Sequence, residues 1–222
     1  MARVIGVVGG SGGVGASLFA AVLAATAALS GPALLIDLDV VGGGVDVALG
    51  IEGASGARWS GVRVAGGELD AQALLAGVPA WFGCPVLAAD VDELDPAAVG
   101  QVLDAVDLDV DTVVVDLPRV QCAARAAALL RCDLVVVVVR GDLSGAAAAH
   151  MQVDSLPELP IGALVRPGGL PVEQVVTLVG VPLLGQLPAL SLRRLELQKL
   201  PRALVDVAAG VLDGFALQLA TA

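Results

Sequence analysis

The sequence contains very little lysine and few aromatic residues. Lys199 is the single lysine among 222 residues, there are two Trp, three Phe and no Tyr, and the formal net charge is −11. Proteins that bind nucleic acid without sequence preference neutralise phosphates with Lys and Arg, and those that bind single strands stack bases on aromatic rings. The composition therefore argues against nucleic acid as a partner.

One short stretch near the end of the chain is basic. Residues 193–202 contain Arg193, Arg194, Lys199 and Arg202. Most clusters of this kind lie on solvated helix faces. The sequence leaves open whether this stretch contacts a partner.

Cysteine is scarce as well. Cys84, Cys122 and Cys132 are odd in number and far apart, which predicts buried free thiols in a reducing compartment. The longest apolar stretch, residues 16–36, is broken by Ser-Gly-Pro at 30–32, so it predicts a helix and a strand instead of a membrane span. The N-terminus has no continuous apolar segment followed by a cleavage site. We therefore expect a cytoplasmic protein that meets a membrane only indirectly.

The pattern of hydrophobic residues is that of an α/β protein. Hydrophobic residues make up 57% of the chain and charged residues 16%, which suits a parallel sheet covered by helices. We predict a single domain, residues 1–222, with a mostly parallel sheet flanked by helices on both faces. The predicted strands are residues 3–8, 33–38, 85–88, 112–115, 134–139 and 161–165, with a short one within 182–187. The predicted helices are residues 18–29, 70–76, 96–106, 121–130, 142–153, 171–179 and 202–219, and residues 54–68 around Trp59 are predicted to form a surface excursion or hairpin.

A glycine-rich segment, residues 9–17 with the sequence GGSGGVGAS, follows the first predicted strand. Glycines at a strand-to-helix junction let consecutive N–H groups converge on an anion, and the helix adds the positive end of its dipole. The phosphate-loop pattern G-x-x-x-x-G-K-[ST] is matched by Gly10, Gly15 and Ser17, whereas its lysine position is Ala16. The candidate nucleotide-binding residues are Gly10, Ser11, Gly12, Gly13, Val14, Gly15, Ala16 and Ser17.

The same glycines fit a second pattern. Residues 10–15 also match G-x-G-x-x-G, and Asp37 follows Gly15 by 22 residues at the end of a second strand, as in a dinucleotide-binding site. A glycine-rich turn that binds nothing is the third interpretation. The glycine pattern alone does not separate the three.

Acidic and basic side chains follow several predicted strands. Asp37 and Asp39 lie on one side of a strand end, where paired carboxylates can hold Mg²⁺ or orient a water molecule. Asp116 ends the strand TVVV, which is the form of a Walker B element. Arg119 and Arg140 follow strand ends too, so they are the candidates for replacing the missing lysine charge.

Three motifs in order, VIGVVGGSGGVGAS, LLIDLDVVGGGVDVALG and TVVVDLPR, resemble the ParA/MinD family of deviant-Walker P-loop ATPases. The chain is most similar to the atypical branch that includes the CpaE/TadZ pilus-localisation proteins and the septum-site-determining (Ssd) proteins. The resemblance implies that the loop wraps the phosphates of ATP or ADP, that Ser17 and Asp116 meet Mg²⁺, and that Asp39 occupies the water-activating position. The family's two lysines fall at Ser11 and Ala16, so both charges are missing.

The resemblance also implies a functional class. It predicts a degenerate, weakly or not hydrolysing nucleotide-binding protein that regulates position in septum placement or in pilus and secretion assembly. It further implies a homodimer across the phosphate loop and protein partners from such a machinery. Two alternatives stay open: a slow ATPase that uses Arg119 or Arg140, and an NAD-linked oxidoreductase, although the chain has no Tyr and one His.

Overall fold

A computed structural model of the protein describes residues 1–62, 69–189 and 200–221, with side chains described up to residue 215. Its strands are β1 (Arg3–Gly9), β2 (Ala33–Asp37), β3 (Ala80–Trp81), β4 (Cys84–Leu87), β5 (Thr112–Asp116), β6 (Leu134–Arg140), β7 (Ile161–Arg166) and β8 (Leu183–Gln186). They form one sheet in the order β3-β4-β2-β5-β1-β6-β7-β8, parallel except for the β3–β4 pair. The prediction of a mostly parallel sheet is confirmed.

The helices connect these strands and cover both faces of the sheet. They are α1 (Ala16–Ala27), α2 (Val45–Leu49), α3 (Ala71–Gly77), α4 (Pro96–Val106), α5 (Ala123–Leu129), α6 (Leu143–Asp154), α7 (Val172–Val179) and α8 (Arg202–Thr221), with a 3₁₀ turn at Trp59–Gly61. Buried side chains of α1, α2 and α8 pack on one face, and those of α3 to α7 pack on the other. Each core cluster is built mostly from Val, Leu and Ala, as the composition predicts.

The central strands are apolar on both sides because helices cover both faces. β1 lies between β5 and β6, and the valines 135–139 of β6 have no exposed surface. β-Branched residues favour the extended conformation and fill the space between the sheet and the helices. Parallel strands end at the same edge, so the residues that follow β1, β2, β5, β6 and β7 meet there.

Three expectations for single elements are corrected. β3 is absent from the sequence prediction; it pairs antiparallel with β4 through a two-residue turn in which Phe82 and Gly83 both have positive φ. That backbone is typical of a hairpin, but the sequence signal for it is normally Asn or Asp before Gly. Trp59 is buried and its Nε1 donates to the Asp37 carbonyl at 2.8 Å, so it anchors its segment to the domain. Cys122 is exposed, at the N-cap of α5, whereas Cys84 is buried.

Among the described residues, no helix is long and apolar enough to cross a membrane. Of the basic stretch, Arg202 begins α8 and is exposed, while Arg193, Arg194 and Lys199 lie outside the described residues.

Candidate functional site

A cleft of about 720 Å³ lies where the carboxyl end of β1 runs into the glycine-rich segment. We call residues 9–17 the phosphate loop. The other walls come from residues that follow β2 and β5, the next strands along the sheet on that side. The cleft is lined by Gly9, Ser11, Gly12, Gly13, Val14, Gly15, Ala16, Ser17, Leu18, Asp39, Val41, Gly42, Ala48, Asp116, Leu117, Arg119 and Val120.

The conformation of the phosphate loop requires glycine at several positions. Gly13 and Gly15 have φ of +67° and +96°, which L-residues with a side chain rarely adopt. Gly10 is required for a different reason, because a Cβ there would stand 2.7 Å from the Cβ and 2.9 Å from the Cα of Ala149 on α6. The loop is therefore held against α6 on one side and left open to the cleft on the other.

The N-terminus of α1 opens into the cleft without a capping side chain. Gly15 is the N-cap residue, no side chain accepts a hydrogen bond there, and the first turn contains no acidic residue. The first N–H groups of a helix carry the positive end of the dipole and have no partner within the helix. This terminus favours an anion.

Two serines of the phosphate loop have different environments. The Oγ atom of Ser11 is buried and has no hydrogen-bond partner among the described residues. A buried hydroxyl without a partner is costly, so this atom indicates a missing ligand or water molecule. Ser17, at the start of α1, lies close enough to Asp116, at the end of β5, for its hydroxyl to lower the pKa of that carboxyl.

Asp116 forms the floor of the cleft and is 2% exposed. Burial raises the pKa of its carboxyl well above the usual range, the nearby charges of Asp37 and Asp39 raise it further, and the neighbouring Ser17 hydroxyl lowers it. Without a positive partner the carboxyl therefore favours its protonated form. A cation bound beside it would favour the ionised form.

Asp37 lies opposite Asp116 in the β2–β5 register but is absent from the residues that line the cleft. Its Oδ1 accepts from the N–H of Asp39 at 2.9 Å, and its Oδ2 accepts from the N–H groups of Val45 at 2.8 Å and Ala89 at 3.3 Å. Burial raises the pKa of Asp37, and these backbone donors oppose the increase. The carboxylate thus fastens α2 and the end of β4 to β2, and the structure does not bring this predicted metal ligand to the cleft.

Asp39 lines the cleft and is half-buried. One carboxylate oxygen accepts from the N–H of Val41 at 3.3 Å, which shapes the turn after β2. Asp39 and Arg119 both line the cleft together with the phosphate loop. Its placement is compatible with the predicted water-activating position.

The two arginines predicted as charge replacements lie in different places. The Nη2 atom of Arg119 lies 3.5 Å from the position that a Cβ on Gly12 would occupy, so its guanidinium covers the phosphate loop. Arg140 instead forms an ion pair of 2.5 Å with Asp142 and is absent from the cleft lining. Only Arg119 of the two brings positive charge to the cleft.

Two further arginines were missed by the sequence analysis. Arg166, at the end of β7, donates from Nη1 to the carbonyl of Val14 in the phosphate loop at 3.3 Å. Its position after a strand is the same signal that identified Arg119. Arg125 is 2% exposed in α5, and no sequence pattern distinguishes it from a surface arginine.

No group of three or more His, Cys, Asp or Glu side chains in residues 1–62, 69–189 and 200–215 has an arrangement that could hold a metal ion. The protein alone thus offers Ser17 and Asp116 as oxygen ligands. Mg²⁺ commonly keeps several waters and completes its shell with substrate phosphates. Ser17 and Asp116 therefore fit a metal ion whose remaining ligands are phosphate oxygens and water.

Several solved structures are similar in fold to this chain. A ParA family ATPase from Chlorobium tepidum superposes with a TM-score of 0.73 at 17% identity, covering 94% of this chain and 98% of that one. The septum site-determining protein MinD of Pyrococcus horikoshii, complexed with Mg-ADP, gives 0.73 at 20% identity, with 95% and 96% covered. MinD in the MinC:MinD complex of Aquifex aeolicus gives 0.73 at 21%, with 96% of each covered.

The fold is that of the ParA and MinD ATPases. No profile of a known protein family matches the sequence. The chain is 42% identical over 193 residues to an uncharacterized protein of Mycobacterium tuberculosis, found in two strains. That match covers 84% of this chain and 54% of the relative, so the chain spans about half the length of the curated relatives it matches.

The ParA/MinD fold does not favour the dinucleotide alternative. A dinucleotide site needs an acidic side chain after the second strand that can accept from a ribose hydroxyl. Asp37 holds that sequence position, but its oxygens already accept three backbone N–H groups.

Proposed function

We propose that this protein is a nucleotide-binding ParA/MinD-like protein, of the CpaE/TadZ-like or Ssd-like branch, that hydrolyses ATP weakly or not at all. In this proposal it acts as a spatial regulator or localisation factor in septum placement or in pilus and secretion assembly. Its output is a nucleotide-dependent shape that partner proteins recognise.

The observation that carries the proposal is the convergence of complementary groups on one cleft. The unpartnered Ser11 hydroxyl, the uncapped start of α1 and the Arg119 guanidinium face a space lined by glycine backbone. All three favour an anion with several acceptor oxygens. The Ser17–Asp116 pair adds oxygen ligands for a metal beside it. These residues fit a magnesium nucleotide.

Different residues of the cleft would bind the phosphates and the metal ion of the nucleotide. Backbone N–H groups of the phosphate loop and the start of α1 would hold phosphate oxygens, and Ser11 would donate its hydroxyl. Ser17 and Asp116 would hold Mg²⁺, while Asp39 stands where a water molecule could be oriented. When bound, Mg-ATP would supply the phosphoanhydride bond, and its Mg²⁺ would favour the ionised form of the buried Asp116 carboxyl.

Weak hydrolysis is supported by the charges the cleft lacks. Phosphoryl transfer depends on fixed positive charge at the oxygens where negative charge develops. Ser11 and Ala16 stand where the family has lysines, and Arg119 is the one cation among the cleft-lining residues. Arg119 is also exposed, so water screens its charge more than that of a buried lysine.

Protein partners are supported by the rim of the cleft. Val41 and Val120 line its mouth and are 81% and 65% exposed, which leaves apolar side chains around a polar site. A rim of this kind suits a homodimer or a partner protein that covers the cleft. MinD of Aquifex aeolicus, which has the same fold, forms a complex with MinC.

One alternative keeps a specific observation in its favour. Because the Arg119 guanidinium covers Gly12, it could supply the charge of the missing lysine and support slow ATP hydrolysis. This alternative predicts turnover that is lost in Arg119→Ala.

The test measures binding and turnover on the same samples. Calorimetry with Mg-ADP and Mg-ATP, followed by phosphate release, is applied to the protein and to Ser17→Ala, with Ser144→Ala on the exposed face of α6 as the matched control. We expect binding that Ser17→Ala weakens and Ser144→Ala leaves unchanged, with little phosphate released. No binding of either nucleotide would overturn the proposal, and rapid release would replace it with an active ATPase.

A further inference from the structure

We propose that Arg125, together with Gln152, is a positioning residue that sets the Arg119 guanidinium over the phosphate loop. This inference deepens the proposed nucleotide site and rests on it. Arg125 and Gln152 lie outside the three sequence motifs, whereas Arg119 ends the third of them.

Arg125 is a buried arginine whose partners are all neutral. Its Nη1 donates to the carbonyls of Arg119 at 2.8 Å and Pro118 at 3.3 Å and to the Oε1 of Gln152 at 3.1 Å, and its Nη2 donates to Ser155 at 3.1 Å. No carboxylate of the described residues forms an ion pair with it. Burial lowers the pKa of the guanidinium. Burying a charge without an ionic partner lowers the stability of the fold, so we expect the hydrogen bonds of Arg125 to have a function.

The end of α6 explains how the charge is tolerated. Ser155 is the C-cap residue of α6 and Gln152 lies in its last turn. A cation at the C-terminus of a helix interacts favourably with the dipole. Arg125 thus connects three parts of the fold: its own helix α5, the end of α6 and the turn after β5.

The turn after β5 is the segment that these contacts hold. The carbonyl of Arg119 accepts from Arg125 and also from the Nε2 of Gln152, at 3.2 Å. In a turn without regular secondary structure, fixing a peptide carbonyl fixes the direction in which the adjacent side chain leaves the backbone. The side chain of Arg119 leaves this turn toward Gly12 and lines the cleft.

The contacts are more specific than packing requires. A leucine or methionine could fill a buried position in α5 without the cost of burying charge. The planar guanidinium instead reaches two successive carbonyls, Pro118 and Arg119, and a second helix at once. We therefore assign the arrangement to the placement of Arg119, the only cation among the residues that line the cleft.

The first measurement reports the turn without any nucleotide. Cys122 is exposed three residues after Arg119, whereas Cys84 is buried and Cys132 is half-buried. Burial raises the pKa values of Cys84 and Cys132 to about 12, which disfavours their reactive thiolate forms. The Sγ of Cys122 accepts from the N–H of Arg125 at 3.4 Å, so the rate at which a chromogenic disulfide reagent modifies Cys122 reports on this turn most directly in Gln152→Leu, which keeps Arg125. We expect Arg125→Met and Gln152→Leu to raise that rate several-fold, while Gln101→Leu on α4 leaves it unchanged.

The second measurement tests whether the effect passes through Arg119. By calorimetry with Mg-ADP, Arg125→Met and Gln152→Leu should each weaken binding by about threefold to tenfold. The loss should be this small because a misplaced Arg119 loses only part of the free energy of one charge-assisted hydrogen bond. In the Arg119→Ala background the same changes should weaken it no further, because they act through the missing side chain. Arg125→Lys, which keeps the charge but cannot reach both carbonyls, should give an intermediate loss.

The outcomes separate this inference from the proposed function. An unchanged Cys122 rate, or equal losses of affinity with and without Arg119, would overturn the positioning role and leave Arg125 as a stabilising contact only. If the parent protein binds no Mg-ADP but the Cys122 rate rises in the variants, the proposed function fails while the control of the turn by Arg125 is supported. Should Arg125→Met not fold, Gln152→Leu carries both measurements.

Discussion

The two strands on either side of β1 end in different ways. After β6, Arg140 pairs with Asp142, Asp142 caps α6 through the N–H of Gly145 at 2.6 Å, and Ala149 of α6 packs against the phosphate loop. After β5, Asp116 and Arg119 face the cleft. The β6 side is therefore a packed wall that supports the loop, and the β5 side contributes charged side chains to the open cleft.

The difference has a local cause. Arg140 has an acidic residue two positions later that can both cap the next helix and neutralise the arginine. Arg119 has no such neighbour, and its turn is held through its carbonyl by side chains from α5 and α6. Of these two arginines, Arg140 forms an ion pair with a nearby carboxylate, and Arg119, which has no carboxylate nearby in sequence, lines the cleft.

The largest expected effect comes from breaking the packed wall. In Gly10→Ala the new methyl group would collide with the backbone of Ala149, so we expect a loss of about 3 kcal/mol in the free energy of unfolding and loss of nucleotide binding. Gly12→Ala is the matched control for stability, because its methyl group would meet only the Arg119 side chain at 3.5 Å. Urea unfolding measures both variants, and calorimetry measures binding in Gly10→Ala; equal losses of stability in the two variants would show that α6 does not support the loop.

The next effect concerns β2, the strand beyond β5. Asp37→Asn keeps the shape of the side chain but turns an amide N–H₂ toward backbone donors, leaving at least one N–H group unpaired. We expect a loss of about 2 kcal/mol in the free energy of unfolding. Asp39→Asn, whose carboxylate faces the cleft, should leave stability unchanged and alter turnover instead. If Asp37→Asn changed Mg²⁺-dependent binding with no cost in stability, Asp37 would be a metal ligand as the sequence predicts.

A smaller effect compares the two arginines directly. Arg119→Ala should weaken Mg-ATP binding about tenfold, as expected for one charged hydrogen bond at an exposed site. Arg140→Ala should leave the affinity unchanged, because that guanidinium pairs with Asp142 outside the cleft. Calorimetry at two salt concentrations measures both, and the salt dependence of binding should fall only in Arg119→Ala. Equal losses would mean that the β6 side also contacts the nucleotide.

The smallest expected effect is the change in the free energy of unfolding over one pH unit. Burial raises the folded-state pKa of Asp116, so its contribution is fully present below the unfolded value near 3.9 and is lost as pH rises toward the folded value. The N–H of Gly145 and Arg140 lower the pKa of Asp142, so its contribution is present above that value and lost as pH falls. One carboxyl changes the free energy by at most about 1.4 kcal/mol per unit.

Metal-free urea unfolding across pH 3 to 7, a range of about four units around the unfolded pKa, measures these slopes. Asp116→Asn should remove a decrease in stability above about pH 4, and Asp142→Asn should remove a decrease below it. Slopes of the same sign in the two variants would contradict the contrast between the two strand ends.

The sequence predicted the parts of this molecule that depend on local pattern. The valine run of β6, the helix Pro96–Val106 with Asp95 as its cap, and the glycine loop between β1 and α1 all carry short-range signals. Asp39, Asp116 and Arg119 were placed at one edge because parallel strands end together. The site was therefore largely predicted from strand order and residue type.

The rest depended on contacts between residues distant in sequence. The burial of Trp59 rests on a hydrogen bond to the Asp37 carbonyl, and β3 depends on a turn with positive φ at Phe82. Neither feature has a sequence signal of its own. The partners of Arg125 come from α6, about 30 residues away, so its role could not be predicted from its neighbours.

The sequence alone was enough to predict the architecture and the position of the glycine-rich loop between β1 and α1, because hydrophobic periodicity and glycine conformation act over a few residues. The tertiary structure decided which of the equivalent-looking charges serve that site. Asp37 and Asp116 end adjacent strands, and Arg119 and Arg140 lie at the carboxyl ends of the two strands that flank β1, yet one of each pair reaches the cleft. Whether a charged side chain reaches the cleft or is held by backbone amides or a nearby carboxylate depends on groups that only folding brings within hydrogen-bond distance.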